Sequence, residues 1–169
     1  GSFRGIYATE LTDNGLEIKK KTDGTPVLKK RICGNRFEGT NIYKRGEYYY
    51  LFASIGTCCN GATSTYQTVV GRSKNVLGPY LDKTGRDMLY DYCEIIMSGN
   101  ETWAGLGHNS ILIQDDVGTD WIIYHGYKKK EAENGRYVLM DKLIWSNDGW
   151  PSVKSNAPSI LEVAPYFQK

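Results

Sequence analysis

Glu38 and His108 are the two residues whose setting asks for chemistry. Glu38 stands in "RFEGTNIYKRGEYYYLFASIG", just ahead of a run that must become buried sheet. A carboxyl there is either a turn residue facing water or a proton donor at the mouth of a β-fold. His108 stands in "GLGHNS", after Gly105 and Gly107. A lone histidine is ordinarily a hydrogen-bonded structural residue, whereas one facing a cavity can hold a metal or move a proton. His125, inside "WIIYHGY", lies on a strand whose alternation gives no functional face, and it reads as a satisfied structural histidine. Asp115, Asp116, Asp120 and Asp148 fall in turn sequence and read as solvated or Asx-turn residues. Asp141 interrupts the apolar "VLMDKLIW" and reads as a buried acceptor.

The cysteines, Cys33, Cys58, Cys59 and Cys93, contain no CxxC pair, which argues against a zinc site. Adjacent cysteines rarely bridge each other, because the geometry is strained. Spacing does not decide whether either pairs with Cys33 or Cys93, and four thiols are the expectation. With 21 basic and 19 acidic residues there is no basic stripe to call for nucleic acid. The run Lys128-Lys129-Lys130 is answered by Glu131 and Glu133 and reads as a solvated loop. No stretch of about 18 apolar residues exists to span a membrane, and no signal peptide is visible. The sequence enters strand-like pattern at once, so the start of the natural protein is expected elsewhere.

The elements that must position Glu38 and His108 are strands. Thirteen tyrosines, many β-branched residues and 19 glycines favour sheet and turns, and helical periodicity is hard to find. Strands are predicted at "GIYATEL", "TNIYKR", "EYYYLFASI", "TYQTVVGRS", "NSILIQDD", "DWIIYHGY" and "YVLMDKLIW", separated by turn signals such as "KRGE", "DDVGTD" and "SNDGWP".

These strands repeat in order. "FEGTNIYKRGEYYYLFAS" followed by "TYQTVVGRSKNVLGPY" has the same plan as "LGHNSILIQDDVGTDWIIYHGY" followed by "RYVLMDKLIWSNDGWP". The offset from Glu38 to His108 is about 70 residues, and a similar offset links the third strands. Weaker fourth strands are expected near "RDMLY" and "SILEVAP"; "GIYATELTDNGLE" and "VLKKR" read as the third and fourth strands of a preceding copy. Four antiparallel strands per repeating unit are the signature of a β-propeller blade. The expected division is 1–33 as the end of one blade, 34–98 as a second and 99–169 as a third. A two-sheet sandwich is the structural alternative. An open wedge of two and a half blades would expose apolar side faces, so the chain is expected to be a fragment or one half of a split protein. Glu38 and His108 open successive inner strands in this reading and should share the central cavity.

The stretches "FEGTNIYKRGEYYYLFASIGTCCNGATSTYQTVVGRSKNVLGPY", "GLGHNSIL", "DWIIYHGY" and "LMDKLIWSNDGWP" resemble glycoside hydrolase family 43, in particular its endo-α-1,5-L-arabinanases. The resemblance covers nearly the whole chain. It implies an all-β fold, with this chain as the C-terminal part of a five-bladed propeller, and inverting hydrolysis of arabinofuranosyl or xylosyl linkages. Glu38 matches the family's general acid, which protonates the leaving oxygen while a base activates water on the opposite face. Such an acid should have a raised pKa. His108 matches the histidine that holds a central metal, usually calcium, largely through water. The family's base and its second Asp lie upstream, one of them just before a "YGSF" whose "GSF" begins this chain, so both are absent here. Thr40 stands where many relatives carry Pro.

Cys58 and Cys59 are expected on a loop at one end of a blade, lining a sugar subsite together with Trp103 and Asn109; ordinary packing is the alternative for the cysteines and Trp103. The partners implied are arabinan or an arabino- or xylo-oligosaccharide and the missing N-terminal half, in a secreted, periplasmic or cell-surface setting. A non-catalytic carbohydrate-binding or remnant propeller is the alternative function. An interaction scaffold is disfavoured, since it has no need of polar groups at the axis.

Overall fold

The computed structural model describes residues 3–168, and every strand pairing in it is antiparallel. Gly1 and Ser2, on which part of the "GSF" match falls, lie outside the described residues. Strands β1 (Ile6–Thr9) and β2 (Lys29–Cys33) form a two-stranded sheet. Strands β3 (Glu38–Arg45), β4 (Tyr48–Ile55), β5 (Gln67–Ser73) and β6 (Glu94–Met97) follow as a meander in that order. In the next sheet β7 (Trp103–Gly107) and β8 (Ile113–Gln114) both pair with β9 (Asp120–Lys128), and β10 (Tyr137–Lys142) pairs with its other side. A short hairpin of β11 (Ile144–Trp145) and β12 (Pro151–Ser152) follows. The sheets do not close into a ring.

Strand β4 shows why the sheets stack. From Tyr50 to Ile55 every residue is buried, so both faces of the strand must be covered. Side chains alternate between faces with period two. Tyr50 and Phe52 of β4, with Val70 of β5, enter a core shared with Leu106, Ile122 and Tyr124 of the next sheet. Leu51, Ala53 and Val69 enter a second core with Ile32, Phe37, Tyr80 and Met88. The β3–β4 sheet is therefore held between its two neighbours.

Four expectations are corrected. "RDMLY" is not a strand: Asp87 accepts from Leu89 N at 2.9 Å and caps a single 3-10 turn, Met88–Tyr90. Met88 then lies over Gly71, where a Cβ would come within 2.5 Å of its sulfur, and the fourth strand is β6, a little downstream. "SILEVAP" forms no strand but runs as an extended strap tied to Asp141 through Ser159 N (2.9 Å) and to Asp115 through Tyr166 N (3.4 Å). Of "NSILIQDD" only Ile113–Gln114 is strand, because the chain breaks at His108, whose φ of +52° is left-handed. The preceding β7, "WAGLG", was not predicted at all, since its two glycines hide the strand pattern. His108 thus follows a strand rather than opening one.

Asp120 is the last correction among the turn acids. It is 3% exposed and accepts from Tyr43 Oη (2.6 Å), Gln114 Nε2 (3.0 Å) and Trp145 Nε1 (2.7 Å), joining β3 to the next sheet. Asp115 does form the expected Asx turn, accepting from Val117 and Thr119 N, but it is buried and also accepts from Trp121 Nε1. Asp141 is the buried acceptor expected, bonded to Tyr124 Oη and Ser159 N.

Candidate active site

Glu38 is the first residue of β3 and pairs with Ser54 of β4. The register slips between Glu38 and Asn41, and Gly39 has φ +58°. That glycine is needed twice. The left-handed backbone suits glycine, and a Cβ at this position would lie 3.1 Å from the His108 ring. The space it leaves lets the imidazole pack beside Glu38. Ser54, fully buried on β4, accepts from the His108 backbone N–H at 2.7 Å and fixes the broken chain there. Glu38 and His108, about 70 residues apart in sequence, are thereby brought together.

Tyr66 completes the group. Its hydroxyl donates to Glu38 Oε1 at 2.5 Å and lies 3.4 Å from His108 Nδ1. Its buried ring fills the space that Gly107 leaves open, where a Cβ would meet it at 2.5 Å. Burial, and then the adjacent carboxylate, push the Tyr66 phenol far above its ordinary value, so it acts as a donor. The Tyr66 hydroxyl is in turn the foremost influence holding the Glu38 carboxyl below its ordinary value. Burial pushes the other way and is outweighed. A hydrogen bond given to the ionised form favours it, so the Tyr66 bond works against the raised pKa expected of an acid.

His125 is a further correction. Its ring stacks on Tyr66 (centroids 5.9 Å apart, planes at 13°) and on His108 (6.3 Å, 21°). Arg136 Nη1 lies 3.4 Å from its Nε2, while its buried Nδ1 has no partner among the described residues. Burial first, then Arg136 and His108, lower its pKa and keep it neutral. His125 thus belongs to the site, although its strand pattern gave no sign of a functional face. Tyr66, His125 and Arg136 were missed. The available signal was register: the cross-strand partner of Gly107 is His125, and Gly107 directly precedes His108.

The loop 56–66 leaves β4 at the end that carries Glu38. Cys58 and Cys59 are joined there as a vicinal disulfide, not thiols. Cys59 has a left-handed backbone (φ +69°), which turns the neighbouring side chains toward each other. Cys33 and Cys93 are free; burial pushes their thiols up to about 12 and about 11, leaving them protonated. Trp103, half-buried and edge-on to Tyr137 at 6.0 Å, lines a cleft of about 300 Å³ with Thr63, Ser64, Gln67 and Lys129. Asn109 is buried (5% exposed); its Nδ2 donates to Ser110 O, and its Oδ1 has no partner among the described residues.

Calcium takes six to eight oxygen ligands. His108 offers one exposed imidazole, and among the described residues no group of three His, Cys, Asp or Glu could hold a metal ion. These residues do not make a calcium site by themselves.

Comparison with known proteins gives this antiparallel β-chain a family. The profile of Glycosyl hydrolases family 43 matches residues 1–151, and the chain belongs to that family. It is 46% identical over 118 residues to the extracellular exo-α-(1→5)-L-arabinofuranosidase ArbA of Cellvibrio japonicus, covering 70% of this chain and 33% of that protein. It is 40% identical over 156 residues to the extracellular endo-α-(1→5)-L-arabinanase 1 of Bacillus subtilis, covering 90% of this chain and 45% of that protein. A solved structure of Cellvibrio cellulosa α-L-arabinanase complexed with arabinohexaose superposes with a TM-score of 0.66 at 40% identity, over 81% of this chain and 42% of that one. The chain thus spans between a third and a half of the length of these relatives. The all-β architecture is that of the family's arabinanase structures.

Proposed function

We propose that this chain is the acid-bearing part of a secreted or surface-exposed arabinan hydrolase. One observation carries the reading: Glu38 is held at a fixed point by Tyr66, His108 packs beside it, and both lie at the end of the sheets where the Cys58–Cys59 loop emerges. In this reading the chain is about two and a half blades of a five-bladed propeller, with the inner strands facing a common axis.

Glu38 donates a proton to the departing glycosidic oxygen. A carboxylate from outside these residues activates water on the opposite face, giving inversion. None of Asp115, Asp116, Asp120, Asp141 and Asp148 is placed for that role; Asp116 accepts from the Gln168 N–H. Asp115, Asp120 and Asp141 are buried and spent on structural bonds, and Asp148 is bonded to Ser146 Oγ. Additional carboxylates around Glu38 would raise its pKa and offset the Tyr66 bond, which is what a general acid requires. Trp103 and the Cys58–Cys59 pair offer apolar surface to sugar rings, whereas Asn109 is buried with its Oδ1 out of reach of solvent. A calcium ion at the axis, met by His108 among waters, would supply positive charge to the cavity when bound; its oxygen ligands would come from water and from outside this chain.

The relatives' names, one exo-acting and one endo-acting, support arabinan as the substrate class and leave the mode of attack open. The test is the anomer first released from linear arabinan by the complete enzyme, followed by proton NMR. The expected product has inverted configuration. Retained configuration, or no cleavage of α-1,5-arabinan, sinks the proposal.

A further inference from the structure

A second cleft lies at the other end of the sheets from Glu38. Strand β4 starts at Tyr48, beside this cleft, and reaches Ser54, the partner of Glu38, about 20 Å further on at the rise of an extended strand. The cleft has a volume of about 460 Å³, and Arg72, Lys74 and Lys83 all line it. Its wall is preformed. The segment after β5 folds back on that strand, where Arg72 N donates to Leu81 O (2.9 Å) and Leu81 N to Arg72 O (2.8 Å). Tyr80 Oη donates to Val76 O at 2.6 Å and ties the same segment to itself.

Arg72 is the fixed point of this cleft. Its guanidinium lies 4.4 Å from the ring centroid of Tyr48 and 4.4 Å from that of the buried Trp150. Its Nη1 donates to Asp148 O at 2.6 Å, and Gly149 leaves room for it, since a Cβ there would lie 3.3 Å from Nη1. The group is thus held rigidly, yet among the described residues no carboxylate pairs with it or with Lys83. The acidic groups nearby are engaged elsewhere. Asp82 accepts from Arg86 Nε (2.9 Å) and from backbone N–H groups of its own turn. Glu47 pairs with Lys74 at 3.2 Å on the exposed rim, and Asp148 bonds to Ser146 Oγ. A guanidinium ordinarily meets a carboxylate or phosphate through paired, in-plane hydrogen bonds. The described residues do not supply that partner to Arg72.

The layout of the charge selects among anions. It spreads from Arg72, packed between rings, to the exposed Lys74 and Lys83, which suits a ligand carrying several separated charges. A single phosphate is commonly held by converging backbone N–H groups at a helix N-terminus, and no helix starts among the lining residues. Pro79 and Leu81 add apolar surface to the cleft, of the kind that the C–H faces of sugar rings cover. With 21 basic and 19 acidic residues the chain has no wider basic surface for a nucleic acid. We propose that this cleft binds an acidic polysaccharide, taking one uronate carboxylate on Arg72 and neighbouring uronates on Lys74 and Lys83. Arabinan is uncharged, so the cleft is not a further arabinose subsite but a separate hold on a charged glycan. The choice of a glycan among polyanions rests on the arabinan-hydrolase reading; the anion site itself does not.

Calorimetric titration of the complete protein with oligogalacturonate tests it, beside the methyl ester of that oligosaccharide, a neutral arabino-oligosaccharide, inorganic phosphate and polyphosphate. Oligogalacturonate is expected to bind, less tightly as salt is added, and the uncharged ester is expected not to. Lys74→Gln combined with Lys83→Gln changes exposed side chains only. It should weaken binding about tenfold or more, because hydrogen bonds to charged groups are lost, and leave hydrolysis of the neutral oligosaccharide unchanged. Absent binding, equal binding of the ester, or full affinity in the double variant would overturn the proposal. So would phosphate or polyphosphate binding as tightly as oligogalacturonate, which would mean a general anion site. Displacement of oligogalacturonate by the arabino-oligosaccharide would overturn it too, by placing the ligand at the Glu38 end. The readout is affinity, so the two readings fail separately. An arabinan hydrolase that ignores oligogalacturonate loses this proposal alone, and a protein that binds it without cleaving arabinan loses the hydrolase reading alone.

Discussion

Tyr66 donates its hydroxyl to Glu38 Oε1 at 2.5 Å, a bond spanning 28 positions of sequence. It fixes the carboxyl in place and also lowers its pKa. A general acid works only while protonated, so this bond sets how far toward alkaline pH the acid remains usable. In Tyr66→Phe the donor is gone and the Glu38 pKa rises. The alkaline limb of the kcat/KM profile should then move to higher pH in the complete enzyme. The peak rate should fall by no more than about tenfold, the equivalent of roughly 1.4 kcal/mol in the barrier. A pH–rate series on linear arabinan reads both. An alkaline limb that stays in place or moves to lower pH would show that Tyr66 does not govern the acid.

Glu38→Gln removes the proton but keeps the shape and an acceptor for Tyr66. Proton donation typically contributes about 10²–10⁴-fold, so kcat on unactivated arabinan should fall by that order while oligosaccharide binding persists. A substrate with a good leaving group needs less help from an acid and should lose much less. Steady-state kinetics with both substrates, and calorimetric binding to the variant, check this. Equal losses on the two substrates would assign Glu38 a structural role.

Metal dependence separates the two roles open to His108. If a cation sits at the axis against this imidazole, treatment with a chelator should lower activity, and calcium should restore it. His108→Ala should be slower at the outset and respond less to either treatment. Thermal unfolding should change little, because an ion held largely through water contributes little to the fold. Metal analysis of the untreated protein, read beside the rates, decides it: a metal-free active enzyme would leave His108 as a packing partner of Glu38 and His125.

Which parts of this arrangement were legible depended on the range of the signal. Strands β4, β5 and β9 carried dense β-branched and aromatic runs, and the turn glycines fixed their ends, so local pattern sufficed. Glu38 and His108 were found through repeat position and family likeness. Tyr66 and His125 were not, because their roles come from ring stacking across two sheets, which no local alternation encodes. Strand β7 was hidden for a physical reason: Gly105 and Gly107 are there to admit Ser64 and Tyr66, and glycine weakens a strand signal. The disulfide was missed because adjacent cysteines rarely bridge each other and spacing carries no signal for such a pair. Asp120 misled for a similar reason. Its turn-like sequence "VGTD" concealed three donors arriving from elsewhere.

Asp120 offers the sharpest test of how the sheets are held together. Its Oδ1 accepts from Tyr43 Oη and Gln114 Nε2, and its Oδ2 from Trp145 Nε1, with Arg45 Nε 3.6 Å away. Tyr43 and Arg45 lie on β3, the strand that begins with Glu38, while Gln114 and Trp145 belong to the following unit. Asp120→Ala leaves the donors around a buried gap with no acceptor. Breaking a buried charged network by removing one partner costs about 3–5 kcal/mol. Asp120→Asn keeps one acceptor and the volume but turns an amide N–H toward a donor, so it should fall between wild type and Ala. Glu38 sits at the far end of β3, so kcat well below the melting temperature should remain within about twofold in both variants. Denaturant unfolding of the complete enzyme, paired with rates at low temperature, measures the two effects separately. A loss below about 1 kcal/mol in Asp120→Ala would place this carboxylate among ordinary solvated turn acids, and the two sheets would then be held by their apolar core and by the remaining bonds between them, such as His108 N–H to Ser54 Oγ.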